Sequence, residues 1–201
     1  MVPEIDLNGC RILKGYLNRS AQEEIVENIR DVIAKAPLFS PLTPWGKPMS
    51  VGMSSAGKYG WYTDKKGYRY EDSHPNGSPW PDIPSSVEEI WSTLVSEARN
   101  PDCCLINYYK ETAKMGLHQD KDEANFNWPV LSISLGDTGV FKVGGLSRKD
   151  PAQKIDLESG DVAILGGPAR LAFHGIDRIK FGSSTLLSKG GRLNLTLRVV
   201  D

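Results

Sequence analysis

The segment from Arg192 to Arg198 restricts the possible folds of this chain more than any other segment. Its odd-numbered positions are leucines, whereas its even-numbered positions are polar and include both arginines. Because successive side chains of a β-strand point to opposite faces, this alternation predicts a strand with one face in an apolar core. The segment is too hydrophobic for an ordinary exposed strand, and a buried arginine needs a carboxylate partner. The alternative is an edge strand whose polar face is solvated.

Short strands are also predicted along most of the second half of the chain. From Asp102 onward, glycine-containing turns interrupt the sequence at short intervals. Many short strands separated by turns are typical of a β-sandwich or a barrel. A chain of 201 residues can bury one sizeable core, so a single domain is expected.

Two helices are predicted before this strand-rich region. A capping box at residues 20–23 predicts the start of the first helix, which should end before Pro37. The second helix is predicted over residues 86–99. The apolar positions expected to face the core are Ile25, Ile29, Val32 and Ile33 in the first helix, and Val87, Ile90, Trp91, Leu94 and Val95 in the second.

Histidine occurs only three times in the chain, and two of these residues suggest a metal site. His118 precedes Asp120 by two positions, and on a predicted strand both would project to one face and could bind one metal ion. His174 follows an apolar run that predicts a buried strand with one polar group at its tip. Two imidazoles and one carboxylate can hold a non-haem Fe(II) and leave coordination positions open. The alternatives are a surface histidine beside a solvated aspartate, and a His174 that only satisfies a backbone carbonyl.

Residues 57–80 combine several aromatic side chains with lysines and an arginine. Aromatic rings interleaved with cations suit stacking on nucleic-acid bases together with neutralisation of phosphates. The alternative is a hairpin whose aromatic side chains cover the core while its lysines are solvated.

Composition limits the partners and the compartment. The formal net charge of −1 provides no global basic field, which argues against tight non-specific binding of nucleic acid but allows a local basic rim.

The three cysteines form no C-x-x-C motif, so neither a zinc site nor a disulfide framework is expected. Reduced thiols and the lack of an apolar leader or membrane-spanning run favour a cytoplasmic location.

Taken together, the motifs resemble the AlkB-type Fe(II)/2-oxoglutarate-dependent nucleic-acid dealkylating dioxygenases, most of all their bacterial members. The resemblance covers roughly residues 48–199 and depends on the order of several motifs, each of which alone is weak. Besides the metal-site and arginine segments, these motifs are residues 48–53, 60–61, 67–70, 104–109, 117–123 and 144–148.

The resemblance implies an α+β, mostly β, fold: a double-stranded β-helix, or jelly roll, with supporting N-terminal helices. It implies one dioxygenase domain over residues 1–201. Within it, residues 48–80 would form a nucleotide-recognition lid, and residues 102–200 would form the jelly-roll catalytic core.

The resemblance also implies roles for individual residues. The iron ligands would be His118, Asp120 and His174. The residues that would bind the co-substrate 2-oxoglutarate are Asn107, Tyr109, Arg192, Asn194 and Arg198, although which arginine takes which carboxylate stays open. The residues that would contact the base or the nucleic-acid backbone are Met53, Trp61, Tyr68, Asp122, Glu123 and Arg148. The two acidic residues of this last group could attract a cationic methylated base, or could equally be solvated turn carboxylates.

The activity implied by the resemblance is oxidative demethylation of N-alkylated bases of the 1-methyladenine and 3-methylcytosine type, as direct-reversal DNA repair. Formaldehyde would be released while 2-oxoglutarate and O2 give succinate and CO2. The substrate would be single-stranded or duplex DNA, with RNA as a second candidate, and the enzyme would act as a monomer. Two alternatives are a 2-oxoglutarate oxygenase acting on a protein or small molecule, and a non-catalytic metal- or ligand-binding jelly roll.

Overall fold

The computed structural model describes residues 2–201, which form two α-helices and thirteen β-strands. The helices are α1 (Arg19–Lys35) and α2 (Ser85–Leu94). The first strands are β1 (Glu4–Leu7), β2 (Cys10–Leu13), β3 (Val51–Gly57), β4 (Gly60–Asp64), β5 (Gly67–Glu71), β6 (Cys103–Tyr109) and β7 (Met115–His118). The remaining strands are β8 (Val130–Gly136), β9 (Thr138–Val143), β10 (Gln153–Leu157), β11 (Val162–Leu165), β12 (His174–Lys180) and β13 (Arg192–Arg198).

Two antiparallel sheets face each other and form the predicted jelly roll. The larger sheet has seven strands in the order β1-β2-β11-β8-β13-β6-β3, and the smaller has four in the order β10-β9-β12-β7. The hairpin β4–β5 forms a separate two-stranded sheet. The larger sheet therefore takes strands from residues 4–13 and 51–57 as well as from the second half of the chain.

Strand β13 has the bounds and the alternation that the sequence predicts. It lies between β8 and β6 in the larger sheet, so the edge-strand alternative is wrong. Its leucines pack with the helices, and burial of each stabilises the fold by roughly 1.5–3 kcal/mol. Its polar face points into the space between the two sheets, and all seven of its residues are buried.

Helix α1 begins two residues earlier than the capping box predicts. Its N-cap is Asn18, whose side-chain oxygen accepts a hydrogen bond of 2.9 Å from the backbone N–H of Ala21. Ser20 therefore lies inside the helix. The predicted apolar stripe is present, since Ile25, Ile29 and Val32 are buried against the larger sheet.

Helix α2 ends at Leu94, five residues before the predicted end at Arg99. The indole N–H of Trp91 donates to the carbonyl of Arg99 at 2.9 Å, so the chain after the helix folds back over its last turn. Val87, Ile90 and Trp91 are buried as predicted, while Leu94 and Val95 are partly buried against the same core.

The apolar interior has two layers. One lies between the helices and the outer face of the larger sheet, and the other lies between the two sheets. The second layer surrounds the polar face of β13, so the groups on that face are enclosed by apolar walls. No helix within residues 2–201 combines the length and the apolar character needed to cross a membrane.

Candidate active site

The pairing of β7 with β12 brings His118 and His174 together. These two residues are direct partners in the antiparallel ladder, and their ring centroids are 4.6 Å apart. His174 is the first residue of β12, whereas residues 170–173 precede the strand. The prediction that a buried strand ends at His174 was therefore wrong, because β12 begins at this residue.

Asp120 reaches the two histidines from a loop. Strand β7 ends at His118, so the prediction that His118 and Asp120 lie on one strand face was wrong. The loop is held by Arg170, whose Nη1 donates to the backbone carbonyl of Asp120 at 2.6 Å. Arg198 on β13 holds the carboxylate, with 2.9 Å between its Nη2 and Asp120 Oδ1.

The ligand atoms of these three residues converge as a metal site requires. One atom from each residue lies within 4.8 Å of the others. The Nε2 atoms of His118 and His174 lie 3.6 Å and 3.7 Å from the two carboxylate oxygens of Asp120. Each Nδ1 faces a backbone carbonyl, at 3.0 Å for His118 and 2.9 Å for His174. Because a carbonyl can only accept, both Nδ1 atoms carry the proton and both Nε2 lone pairs face the shared space.

The protonation states also suit metal binding. Burial opposes ionisation of Asp120, but Arg198 and the two histidines hold its pKa well below the usual range. Burial, followed by the proximity of His118, lowers the pKa of His174 to about 4. At neutral pH the site therefore offers one carboxylate and a neutral imidazole at His174, the forms in which these residues bind a metal.

A cavity of about 570 Å³ opens beside the three ligands, between the two sheets. Most of the residues that the sequence assigns to co-substrate and base line it. These are Met53, Trp61, Tyr68, Asn107, Tyr109, Asp122, Arg148, Arg192, Asn194 and Arg198. The folding of the two sheets thus brings together residues that are more than a hundred positions apart.

Arg192 is a buried cation at the wall of this cavity. Its exposed fraction is 0%. Nη2 donates to Ser134 Oγ at 2.9 Å and Nη1 to the carbonyl of Leu157 at 3.4 Å, while Nε has no partner among residues 2–201. No described carboxylate forms an ion pair with it, and burial lowers its pKa to about 10. A guanidinium in this position lacks the anion that buried arginines require.

Asn107 and Tyr109 lie near Arg192 on the neighbouring strand β6. Arg192 and Tyr109 are register partners, as are Asn194 and Asn107. Asn107 Oδ1 is buried without a hydrogen-bond partner among the described residues, and the Tyr109 hydroxyl has only the sulfur of Met115 at 3.8 Å. Burial raises the pKa of Tyr109 to about 12, so its hydroxyl stays protonated and can donate.

Asn194 and Arg198 line the same cavity but already have partners. Asn194 donates to Ser132 Oγ at 2.7 Å and to the carbonyl of Ile133 at 3.0 Å. Arg198 pairs with Asp120, and although burial opposes its charge, Asp120 raises its pKa well above the usual value. Of the two arginines of β13, Arg192 is thus the one without a carboxylate.

The hairpin β4–β5 stands at the mouth of the cavity. Trp61 on β4 and Tyr68 on β5 stack with their ring centroids 5.6 Å apart and their planes at 21°. The indole N–H of Trp61 donates to Asp122 Oδ2 at 2.9 Å. Half of the Tyr68 side chain is exposed, whereas Met53 is buried in the cavity wall. The guanidinium of Arg148 lies 5.0 Å from the centre of the Phe173 ring.

Glu123 does not line the cavity with the other residues predicted to contact the substrate. Its side chain is fully buried and forms an ion pair of 3.1 Å with Arg170. The hydroxyl of Tyr70 donates to Glu123 Oε1 at 2.5 Å and accepts from Arg198 Nη1 at 2.9 Å. Glu123 therefore fits neither expected role, as a contact to the base or as a solvated carboxylate in a turn. Its side chain belongs to a buried charge network behind Asp120.

Sequence reasoning missed Arg170 and Tyr70 as members of this network. Both lay inside segments that were singled out for other residues. Their partners are 47 and 53 positions away in the chain, so no local pattern signals the contact.

An open set of two histidines and one carboxylate inside a jelly roll defines a non-haem iron oxygenase. The model of the 2OG-Fe(II) oxygenase superfamily matches residues 9–198 of this chain. The chain is 53% identical over 191 residues to the alpha-ketoglutarate-dependent dioxygenase AlkB homolog of Caulobacter vibrioides, covering 94% of this chain and 87% of that protein. It is 41% identical over 195 residues to alpha-ketoglutarate-dependent dioxygenase AlkB of Escherichia coli, covering 94% and 89%.

More distant relatives extend the comparison. The chain is 32% identical over 221 residues to the DNA N(6)-methyladenine demethylase ALKBH1C of Arabidopsis thaliana, covering 94% of this chain and 48% of that protein. The solved structure of OsALKBH1 matches with a TM-score of 0.83 and 35% identity, covering 98% of this chain and all of that one. The chain belongs to the AlkB family of 2OG-Fe(II) oxygenases. It is an Fe(II)- and 2-oxoglutarate-dependent dioxygenase.

Proposed function

We propose that this enzyme oxidatively demethylates N-alkylated nucleic-acid bases of the 1-methyladenine and 3-methylcytosine type, as a direct-reversal repair reaction. The observation that carries the proposal is the stacked pair of Trp61 and Tyr68 at the mouth of the cavity that contains the metal ligands. An aromatic platform beside a buried oxidation site suits a flat base that has left its stack. The family relationship, which includes a relative named as a DNA demethylase, adds to this support.

His118, Asp120 and His174 would hold the Fe(II). They supply three ligand atoms, and a site of two histidines and one carboxylate leaves further coordination positions of Fe(II) available. With 2-oxoglutarate and O2, bound Fe(II) supplies the oxidation that converts an N-methyl group to N-hydroxymethyl and 2-oxoglutarate to succinate and CO2. The N-hydroxymethyl group then loses formaldehyde and leaves the unmodified base.

Arg192 would bind the carboxylate of 2-oxoglutarate that is far from the metal. It is the arginine of β13 that lacks a carboxylate partner, whereas Arg198 already pairs with Asp120. Tyr109 would donate a hydrogen bond from its hydroxyl to the same molecule, since this group has only the sulfur of Met115 as a protein partner. Asn107 also lines the cavity, and its side-chain amide N–H group would donate there. Asn194 would support this position from within the sheet. The positive charge of Arg192, which has no carboxylate partner in the protein, would thus pair with a carboxylate of the co-substrate.

The base would enter between the aromatic pair and the metal ligands. Asp122, held by the Trp61 indole, would place negative charge near a methylated base that carries a positive charge. Met53 would form the apolar wall, and Arg148 would face the nucleic-acid backbone at the rim. Because methylation of the pairing edge already weakens the base pair, extrusion of such a base costs less than extrusion of an intact one.

Larger-scale assignments follow from the same proposal. Residues 1–201 would form one dioxygenase domain in which residues 48–80 contain the nucleotide-recognition lid, formed by the hairpin β4–β5, since β3 belongs to the larger sheet. Residues 102–200 would form the catalytic core, completed by β1, β2 and β3. The enzyme would act as a monomer on single-stranded or duplex DNA, and on RNA as a second substrate. The three buried free cysteines support a reducing compartment such as the cytoplasm.

Mass spectrometry of a single-stranded oligonucleotide with one 1-methyladenine or 3-methylcytosine tests the proposal. The oligonucleotide is incubated with the protein, Fe(II), 2-oxoglutarate, ascorbate and air, and the variant His118→Ala is treated in parallel. The expected result is loss of the mass of one methylene group with the intact protein only. Succinate formation without a change in the oligonucleotide would favour a protein or small-molecule substrate. Absence of succinate as well would contradict the oxygenase chemistry.

A further inference from the structure

Trp45 is more exposed than any other large hydrophobic side chain among residues 2–201, with 82% of its surface accessible. It lies in the irregular segment between α1 and β3, outside the predicted lid. An exposed indole leaves a large apolar area in water, which indicates a binding role when it stands beside a functional cavity. Trp45 is also one of the residues that line the mouth of the cavity at the metal ligands.

The backbone around Trp45 forms a closed turn that fixes the position from which the indole projects. The N–H of Thr43 donates to the carbonyl of Lys47, and the N–H of Gly46 donates to the carbonyl of Thr43, both at 2.8 Å. A bridge between Leu42 and Pro48 closes the base of the turn. Gly46 has a φ of 78°, a conformation that other residues rarely adopt. The exposed indole is thus presented by a specific turn, which lowers the entropic cost of binding through it.

Two lysines lie at the turn that carries this indole. Lys47 closes the turn, and the Cε atom of Lys65 lies 3.8 Å from the place where a Cβ atom on Gly46 would stand. Both lysines are exposed, and neither forms an ion pair with any residue that the structure describes. In a chain with a net charge of −1, these two free cations beside one indole form a local basic rim.

We propose that Trp45 stacks on a base adjacent to the methylated base, while Lys47 and Lys65 contact the intervening phosphates. This inference rests on the proposed nucleic-acid function. The pair of Trp61 and Tyr68 is positioned to receive one base, and Trp45 is a second, separate aromatic surface on the same rim. Every base has a π-face, so such a contact tolerates any neighbouring sequence but requires an unstacked neighbour. The bound strand is therefore contacted through at least two nucleotides, one at each aromatic surface.

Steady-state kinetics of Trp45→Ala, Trp45→Phe and the control Phe181→Ala test this inference. Phe181 is also an exposed aromatic residue, at 48%, but it does not line the cavity. Each protein is assayed with a 1-methyladenine-containing pentanucleotide and with the 1-methyladenosine monophosphate alone. For Trp45→Ala we expect the KM for the pentanucleotide to rise about 5- to 150-fold, the range that corresponds to loss of one base–aromatic stack.

The pattern across substrates separates this contact from a general defect. Turnover of the mononucleotide, kcat on the pentanucleotide and the KM for the keto-acid co-substrate should stay within twofold of wild type, and Trp45→Phe should restore most of the affinity. Unchanged pentanucleotide KM in Trp45→Ala, or an equal loss on the mononucleotide, would overturn the inference while the demethylase function stands. Absence of demethylation by the wild-type protein would remove both. Loss of a self-associated species by ultracentrifugation, with unchanged KM, would instead assign Trp45 to contact between copies of the chain.

Discussion

At the scale of the single residue, Arg192 makes the strongest case for an anion-binding position. A buried guanidinium without a carboxylate costs free energy in the folded protein, and this cost is relieved when an anion binds. Replacement of Arg192 by methionine should therefore weaken 2-oxoglutarate binding, with KM raised about 10- to 100-fold for the loss of a charged hydrogen-bonded pair. Steady-state kinetics with varied 2-oxoglutarate measure this effect.

Thermal unfolding provides a second readout of the same variant. Without 2-oxoglutarate, Arg192→Met should be as stable as the wild type or more so, because a buried unpaired charge is removed. Addition of 2-oxoglutarate should raise the Tm of the wild type and of Arg178→Met, a control at an exposed arginine of β12, but not that of Arg192→Met. An equal ligand-induced rise in Arg192→Met would assign the co-substrate to another cation.

Individual residues also mark where sequence reasoning reached its limit. The ligand set of His118, Asp120 and His174 was predictable because histidine is scarce in this chain and the chemistry of the set is specific. The placement of Glu123 was not, because an acidic residue just after a metal ligand looks exposed in sequence. Its burial depends on Arg170 and Tyr70, which approach it only after the fold is complete.

At the scale of the element, the ladder between β7 and β12 sets the distance between the two histidine ligands. A Cβ atom on Gly175 would lie 2.5 Å from the carbonyl oxygen of Met115 and 2.7 Å from that of Gly116. The variant Gly175→Ala must therefore push the strands apart beside His118 and His174. We expect its Kd for Mn(II), measured by calorimetry, to rise at least about 10-fold because ligand geometry is lost.

The same ladder offers a matched control for that substitution. Gly116 lies on β7, and a Cβ atom on it would meet nothing within 4 Å. Gly116→Ala should therefore bind Mn(II) like the wild type. Equal affinities for all three proteins would mean that the strand spacing does not determine the metal site.

Hydrogen bonds of the Tyr70 hydroxyl connect the hairpin β4–β5 to the residues behind the metal site. Its hydroxyl lies between the buried carboxylate of Glu123 and the guanidinium of Arg198, which in turn holds Asp120. In Tyr70→Phe, Glu123 loses a donor inside the protein, at a cost of about 1–3 kcal/mol. Faster hydrogen–deuterium exchange in residues 60–71 and weaker Mn(II) binding are the expected results.

Tyr62 provides the control for this hydroxyl. It belongs to the same hairpin, and its hydroxyl has no hydrogen-bond partner among residues 2–201. Tyr62→Phe should leave exchange and metal affinity unchanged. If both variants loosened the hairpin equally, the effect would come from general packing and the link to Asp120 would be contradicted.

Elements were predictable to the extent that their pattern is local. Strand β13 was predicted with its bounds because its alternation is unbroken, and the apolar stripes of both helices were predicted because each repeats within its own turns. Helix ends were less predictable: the start of α1 depends on the side chain of Asn18, and the end of α2 depends on a contact from Trp91 to Arg99. Both ends depend on single side-chain hydrogen bonds, which the apolar periodicity of a helix does not predict.

At the scale of the whole molecule, the three cysteines report on global unfolding. All are buried, and burial raises the pKa of Cys10 and of Cys103 to about 12 and raises that of Cys104 as well. Because the thiolate is the reactive form, iodoacetamide at pH 8 should label none of them in the folded protein. In urea, intact mass should show all three labelled together across one transition. Rapid labelling of one cysteine in the native protein would contradict a single cooperative unit.

The assembled molecule couples two reactions through one metal site, and that coupling is the most direct test of its function. Succinate, formaldehyde and repaired base are quantified together after incubation with a 1-methyladenine oligonucleotide, Fe(II), 2-oxoglutarate and O2. A demethylase should give formaldehyde and repaired base in equal amounts, matched by at least as much succinate, and none of the three products should form with Asp120→Ala. Succinate that forms at the same rate with and without the methylated strand, while no formaldehyde appears, would contradict nucleic-acid demethylation by this enzyme.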